Sequence, residues 1–83
     1  MTEASRITIR FAPGEGAVGR IVTLVERRGF IMRALAMNDE GDCASMTLDL
    51  VARDTSRRLD VLDLQLKRLI GVTSVTIPAG SVQ

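Results

Sequence analysis

Hydrophobic residues alternate with polar ones along several short segments of the chain, which is the pattern of strands that bury one face. The alternation predicts strands over residues 5–11, 43–50 and 72–77. A fourth segment, 30–37, is hydrophobic on both alternations, with Phe30, Met32, Ala34 and Ala36 on one and Ile31, Leu35 and Met37 on the other. We expect this strand to need cover on both of its faces.

Two longer segments place hydrophobic residues three and four positions apart, as amphipathic helices do. The first predicted helix covers residues 17–28, and Gly29 follows it where a helix C-terminal glycine belongs. Its predicted core face consists of Val18, Ile21, Val22 and Val25. A proline and two glycines in residues 12–16 interrupt the preceding strand, so we predict a loop before this helix.

The second predicted helix follows residues 54–56, an Asp-Thr-Ser run of which any member is a suitable N-cap. Gly71 ends the helical pattern, and Asp63 and Lys67 form a favourable pair four positions apart. We expect its core face to hold five hydrophobic residues: Leu59, Leu62, Leu66, Leu69 and Ile70.

The order of these elements is strand, helix, strand, strand, helix, strand. Two right-handed crossovers of this kind predict an α+β, ferredoxin-like βαββαβ sandwich, in which two helices cover one face of a four-stranded antiparallel sheet. Segment 30–37 is then an edge strand, and it contains neither Lys nor Pro. An unguarded edge strand that is apolar on both faces invites pairing, so we predict a homodimer through 30–37.

Length and composition restrict the chemistry. The 83 residues fit one domain and contain no His, Trp or Tyr and a single cysteine, Cys43, which we expect to be a small core residue. The usual general base and transition-metal ligands are therefore missing. The 11 basic and 10 acidic residues nearly balance, and no apolar run is long enough for a membrane span. We expect a cytoplasmic protein that binds neither nucleic acid nor membrane, and no metal.

The predicted helices carry basic stripes that alternate with apolar residues. On the second helix the stripe opposite the leucine face, our candidate docking surface, comprises Arg57, Val61, Leu64 and Arg68. On the first helix, the corresponding flank comprises Arg20, Leu24 and Arg27. The turn between the second and third strands, residues 38–42, is acidic. No aromatic residue falls on the predicted open face of the sheet, which excludes a base-stacking RNA platform.

Three stretches of the chain carry a resemblance to a known family. Residues 16–20 (Gly-Ala-Val-Gly-Arg), 27–30 (Arg-Arg-Gly-Phe, continuing to 37) and 64–72 (Leu-Gln-Leu-Lys-Arg-Leu-Ile-Gly-Val) resemble the ACT domain of the acetolactate synthase small subunit. The length is similar to that of the short single-domain kind associated with the second isozyme. The resemblance implies one ACT-like domain over residues 1–83, with 1–4 and 79–83 as flexible tails.

The resemblance also implies a function. Such a chain is a non-catalytic regulatory subunit that activates a large enzyme of branched-chain amino acid biosynthesis. The large subunit would carry thiamine diphosphate, Mg and FAD, while this chain would hold no cofactor. The alternative is a free-standing ACT module that binds a small amino-acid effector.

The resemblance finally implies an effector site between two chains. One chain would contribute its first loop and helix start, namely Pro13, Gly14, Glu15, Gly16, Ala17 and Val18, and the other would contribute Ile31 and Met32. Longer relatives carry Asn where this sequence has Pro13 and Ile31. Because those amides would hold the amino acid's polar groups, their replacement predicts a weakened site for a branched-chain amino acid.

Overall fold

The computed structural model describes residues 4–54 and 58–77. Four antiparallel strands form one sheet in the order β2-β3-β1-β4, and the helices follow β1 and β3 in the chain. The elements are β1 (Ala4–Phe11), α1 (Ala17–Arg27), β2 (Phe30–Asp39), β3 (Ala44–Ala52), α2 (Leu59–Lys67) and β4 (Val72–Thr76). This arrangement confirms the predicted ferredoxin-like sandwich, with β2 at one edge of the sheet.

The core lies between the helices and the two central strands. Every second residue of β1 and β3 is buried there, as their alternation predicts: Ile7, Ile9, Phe11, Ala44, Met46, Leu48 and Leu50. The helices contribute Ala17, Ile21 and Val25 from α1 and Leu59, Leu62 and Leu66 from α2. Both phenylalanines are buried, so no aromatic ring lies on the open face of the sheet.

Helix α1 starts and ends close to its predicted bounds, but its faces are rotated slightly. Gly16 is the N-cap with φ of +79°, and Arg28 caps the C-terminal end. Leu24 packs against the core together with Val18, whereas Val22 is only half-buried. Leu24 is therefore less exposed than the predicted flank requires, although it lines one surface with Arg20 and Arg27.

Helix α2 is shorter than predicted at both ends. Its N-cap is Arg58, so Asp54 does not cap it, and Thr55 and Ser56 lie outside the described residues. The helix ends at Lys67, and residues 68–71 form a turn in which the Ile70 side chain is 88% exposed. The prediction that Ile70 belongs to the core face is wrong, since the helical periodicity stops before that residue.

Strand β2 contains a β-bulge at Arg33. Met32 lies opposite Leu50, and the next pair joins Ala34 to Asp49, which leaves Arg33 as the extra residue. An extra residue reverses the side-chain alternation. Leu35 and Met37 therefore share the helix-facing side with Phe30 and Met32, while Ala34 and Ala36 lie on the open side with Ile31. This corrects the two faces predicted for the strand.

Two smaller corrections concern the strand ends. Ala4 belongs to β1 and not to a tail. The other residues of the predicted tails, 1–3 and 79–83, lie outside the described residues. Cys43 precedes β3 instead of opening it, and it is half-buried beside Arg10, whose Nη2 donates a hydrogen bond to Sγ at 3.3 Å. Neither helix of the described chain reaches the length and hydropathy that a membrane span requires.

Candidate functional site

The first loop, residues 12–16, is attached to the turn before β4. The Ala12 N–H donates a hydrogen bond to the Gly71 carbonyl at 2.7 Å, and the Ala17 N–H donates to the Gly14 carbonyl at 3.2 Å. The positive φ of Gly16 then turns the chain into α1, where the Arg20 N–H donates to the Gly16 carbonyl at 3.0 Å. The loop therefore has a defined position above one end of the sheet.

The two parts of the predicted effector site lie at opposite ends of that sheet. Phe11, which leads into the loop, pairs with Ala44 of β3, whereas Ile31 pairs with Val51. The two β3 positions are separated by 51 − 44 = 7 residues, or about 24 Å along a strand. One chain alone therefore does not bring residues 13–18 together with Ile31 and Met32.

The side chains at these positions offer little polar chemistry. Ala17 is buried and Val18 packs against the core, so both hold α1 on the sheet. The loop residues Pro13, Gly14, Glu15 and Gly16 are exposed, as is Ile31, while Met32 is partly buried against the core. Apart from the Glu15 carboxylate, the loop side chains carry no polar group, so the backbone supplies the rest of its polar chemistry.

The stripe predicted on the second helix lies on the outer face of α2. Val61, Leu64 and Arg68 are exposed, and Leu64 retains 60% of its side-chain surface. Arg57 lies outside the described residues. Two ion pairs lie on the same helix or at its cap, Arg58 with Asp60 at 2.6 Å and Lys67 with Asp63 at 3.1 Å.

A concave surface lies between α1 and the turn after α2, and it includes the flank of Arg20, Leu24 and Arg27 that the sequence indicated on the first helix. This open groove has a volume of about 480 Å³ and is called the α1 groove below; its lining residues are Gly16, Gly19, Arg20, Thr23, Leu24, Arg27 and Leu69. Leu24 and Leu69 pack against the core, and the other lining residues are exposed. Near the far end of α1, Arg28 Nη2 donates a hydrogen bond to Gln65 Oε1 of α2 at 3.3 Å.

One sequence signal for the α1 groove is the glycine inside the helix. A glycine in a helix interior costs roughly 1 kcal/mol relative to alanine. Gly19 has no positive φ, and a Cβ at this position would meet no atom within 4 Å. The fold of the described chain therefore does not require this glycine, and the space above it is open.

The charges on the surface are unevenly neutralised. Within residues 4–54 and 58–77, ion pairs join Arg6 to Asp49, Arg10 to Glu40, Arg58 to Asp60 and Lys67 to Asp63. The guanidinium hydrogen bonds of Arg6 and Arg58 hold the pKa values of the Asp49 and Asp60 carboxyls below their usual range. Arg27 and Arg68 make no ion pair with this part of the chain.

No metal centre is present among the residues that the structure describes, since His, Cys, Asp and Glu side chains nowhere gather in groups of three. The open side of the sheet carries a row of hydroxyl groups instead, with Thr8 between Thr47 and Thr76 in the strand register. This row of hydroxyl groups has no histidine beside it to act as a general base, and no metal ligand set among the described residues. The candidate binding features are the first loop, the β2 edge and the α1 groove.

Comparison with known proteins gives a family match and several similar structures. A sequence model described as the ACT domain matches residues 13–75. The crystal structure of the ACT domain from GTP pyrophosphokinase of Chlorobium tepidum is similar with a TM-score of 0.78 and 18% identity, covering 94% of this chain and 100% of that one. Its solution structure gives a TM-score of 0.75 and 18% identity, covering 95% and 89%.

The C-terminal domain of the MgtC protein from Mycobacterium tuberculosis is also similar. Its TM-score is 0.72 at 20% identity, covering 99% of this chain and 93% of that one. No curated protein matches the sequence significantly. At these identities the structural matches establish the fold alone.

Proposed function

The chain belongs to the ACT domain family, and from this premise we propose that it is the regulatory small subunit of acetolactate synthase. ACT domains are small-molecule regulatory modules and not catalysts. The observation that carries the finer proposal is the resemblance of three stretches, which occupy connected places in the fold. Residues 16–20 open α1, 27–30 join α1 to β2, and 64–72 join the end of α2 to β4.

The exposed edge of β2 supports a dimer as the regulatory unit. Ile31, Leu35 and Met37 remain 47%, 43% and 46% exposed on this strand, which carries no Lys or Pro to block pairing. Two copies of β2 pairing antiparallel would continue the sheet and cover these side chains. The same pairing would bring the Phe30 end of one strand toward the Asp39 end of the other.

The antiparallel dimer would also complete the effector site. Asp39 pairs with Ala44, at the end of the sheet where the first loop begins. Ile31 of one copy would therefore lie at the same end of the joined sheet as the first loop of the other, which contains Gly14 and Gly16. The effector site that the two copies would share lacks side-chain amides at Pro13 and Ile31, which supports weak binding of a branched-chain amino acid.

The proposed partner is the large catalytic subunit, in the cytoplasm. In this proposal the large subunit carries thiamine diphosphate, Mg and FAD, and the small subunit contributes contacts and no chemistry. It activates by binding the active arrangement of the catalytic subunit more tightly than the inactive one, since only such a difference in affinity shifts the equilibrium.

The test is reconstitution with the cognate large subunit. We expect the two chains to co-elute in size-exclusion chromatography and the rate of pyruvate condensation to rise when the small subunit is added. The large subunit alone and the small subunit alone are the controls. Unchanged activity without co-elution would overturn the proposal.

Calorimetric titration separates this function from a free-standing amino-acid sensor. The isolated chain is titrated with leucine, isoleucine and valine. We expect no strong saturable heat, because Pro13 and Ile31 supply no hydrogen-bonding side chain. Clear saturable binding in the absence of any partner would favour the free-standing module instead.

A further inference from the structure

We propose that the α1 groove is the surface that binds the catalytic subunit, and that it receives an acidic segment of that subunit carrying an apolar side chain. This inference rests on the proposed function. It replaces the stripe on α2 as the docking surface, because three separate properties of the α1 groove suit a protein segment.

The first property is access to the backbone of α1. Gly19 lines the α1 groove, and space is open where its side chain would be. Glycine is the poorest helix former after proline, and nothing within the described chain compensates for its presence here. A partner chain that approaches α1 closely at this point would explain the residue, since any larger side chain would keep it away.

The second property is uncompensated positive charge. Arg20 and Arg27 both line the α1 groove, seven residues apart on one helix, and so about 10 Å apart along its axis. Arg27 makes no ion pair with residues 4–54 or 58–77, and Arg20 makes only a long contact with the Glu15 carbonyl, at 3.5 Å. Carboxylates with a matching spacing, such as positions i and i+7 of a helix, would neutralise both guanidinium groups.

The third property is an apolar strip between the two arginines. Leu24 and Leu69 are partly exposed at the base of the α1 groove, and Ile70 follows Leu69 with 88% of its side chain exposed. No other large hydrophobic side chain in the described residues is as exposed as Ile70. An apolar side chain of the partner, placed between its carboxylates, would cover this strip and remove both surfaces from water.

The α1 groove shares only Gly16 with the proposed effector site and lies apart from the β2 edge that would pair in the dimer. None of its lining residues belongs to β2, and Leu69 places it on the side of α1 that faces the end of α2. A dimer formed through β2 would leave both grooves free. Each dimer would then offer two equivalent docking surfaces.

Three variants and a wild-type reference test the inference by the affinity for the cognate large subunit. Arg27→Glu reverses an unpaired charge in the α1 groove, and Gly19→Leu fills the space above the helix with a better helix former. Arg53→Glu is the matched control, because Arg53 is exposed, lies outside the α1 groove and gives the same change in net charge. Circular dichroism and thermal unfolding confirm that each variant is folded.

We expect Arg27→Glu and Gly19→Leu each to raise the dissociation constant by about tenfold or more, which is the effect expected when a central contact is lost. Arg53→Glu should change it less than about threefold, and added salt should weaken the wild type more than Arg27→Glu. If the wild type binds and the two groove variants bind equally well, the inference is wrong and the proposed function stands. Equal losses of affinity in Arg27→Glu and Arg53→Glu would indicate a non-specific charge effect and would also overturn the inference.

If the wild type does not bind the large subunit at all, the proposed function fails and the inference falls with it. A double variant on α2, Val61→Asp with Leu64→Asp, distinguishes the two surfaces. It should bind within about threefold of the wild type, since it changes no residue of the α1 groove. Loss of binding in this folded variant, with binding retained in Arg27→Glu, would return the docking surface to α2.

Discussion

Arg6 and Asp49 face each other across β1 and β3, with Arg6 Nε 2.8 Å from Asp49 Oδ1 and Arg6 Nη2 3.3 Å from Asp49 Oδ2. This two-point contact on the open side of the sheet joins the central strands outside the core. The hydrogen bonds from Arg6 hold the pKa of the Asp49 carboxyl below its usual range. A carboxyl with a lowered pKa stabilises the folded state above its unfolded pKa and loses that effect as the pH falls through the folded value.

The first prediction follows from this pair. Asp49→Asn should lower the melting temperature slightly at neutral pH, and the difference from the wild type should shrink as the pH falls below about 4 and through the lowered pKa of Asp49. Thermal unfolding followed by circular dichroism measures both values. Asp42→Asn is the control on the exposed turn. A difference that persists undiminished into acid would show that packing and not charge is responsible.

The second prediction compares two leucines on the same helix. Leu66 is fully buried and Leu64 is 60% exposed. Leu66→Ala should lower the free energy of unfolding by about 2–5 kcal/mol, because it removes core contacts and leaves a cavity. Leu64→Ala should change it by less than about 0.5 kcal/mol. Urea denaturation measures both, and similar losses would contradict the placement of these faces.

The third prediction concerns two glycines at the start of α1. Gly16→Ala should destabilise the protein by roughly 1 kcal/mol or more, since alanine disfavours a positive φ. Its Cβ would also lie 3.1 Å from Arg20 Nη1. Gly19→Ala should stabilise it by about 0.5–1 kcal/mol, since the helix is regular there and the space is open. Effects of the same sign in denaturant unfolding would refute the described backbone.

The fourth prediction tests the dimer. Leu35→Lys combined with Met37→Lys should convert a dimer to monomers, because two charges would be buried along the paired β2 edges. Sedimentation equilibrium gives the mass of each species. Val61→Lys with Leu64→Lys adds the same charge on α2 and should leave the dimer intact. A wild type that sediments as a monomer throughout the concentration range would remove the basis for the shared effector site.

Sequence patterns located the elements because most of their signals are local. The alternation of Ile7, Ile9 and Phe11 and the glycines around α1 specified their elements without reference to the rest of the chain. The bulge at Arg33 was not predictable in this way, since segment 30–37 is hydrophobic on both alternations and fits either register. Only pairing with β3 decides which of its side chains face the helices.

The candidate sites were harder to predict, because they depend on how separate segments meet. Ile70 continues the leucine spacing of α2, yet the helix ends at Lys67 and leaves this residue exposed. Leu69 and the residues of α1 line the α1 groove together, although they are more than forty positions apart in the sequence. The flank of Arg20, Leu24 and Arg27 was visible in the helical spacing of the sequence, whereas the role of Gly19 becomes clear only once the open space above it is known.

The separation of Ile31 from the first loop along the sheet makes the effector response a matter of protein concentration. In the proposed dimer, each chain supplies one part of each of two shared sites, so a dissociated chain contains no whole site. Effector and dimer formation are then thermodynamically linked: dilution below the dimer dissociation constant weakens effector binding, and a bound effector opposes dissociation. The number of effector molecules bound would therefore depend on the concentration of dimers, and dissociated chains would bind none.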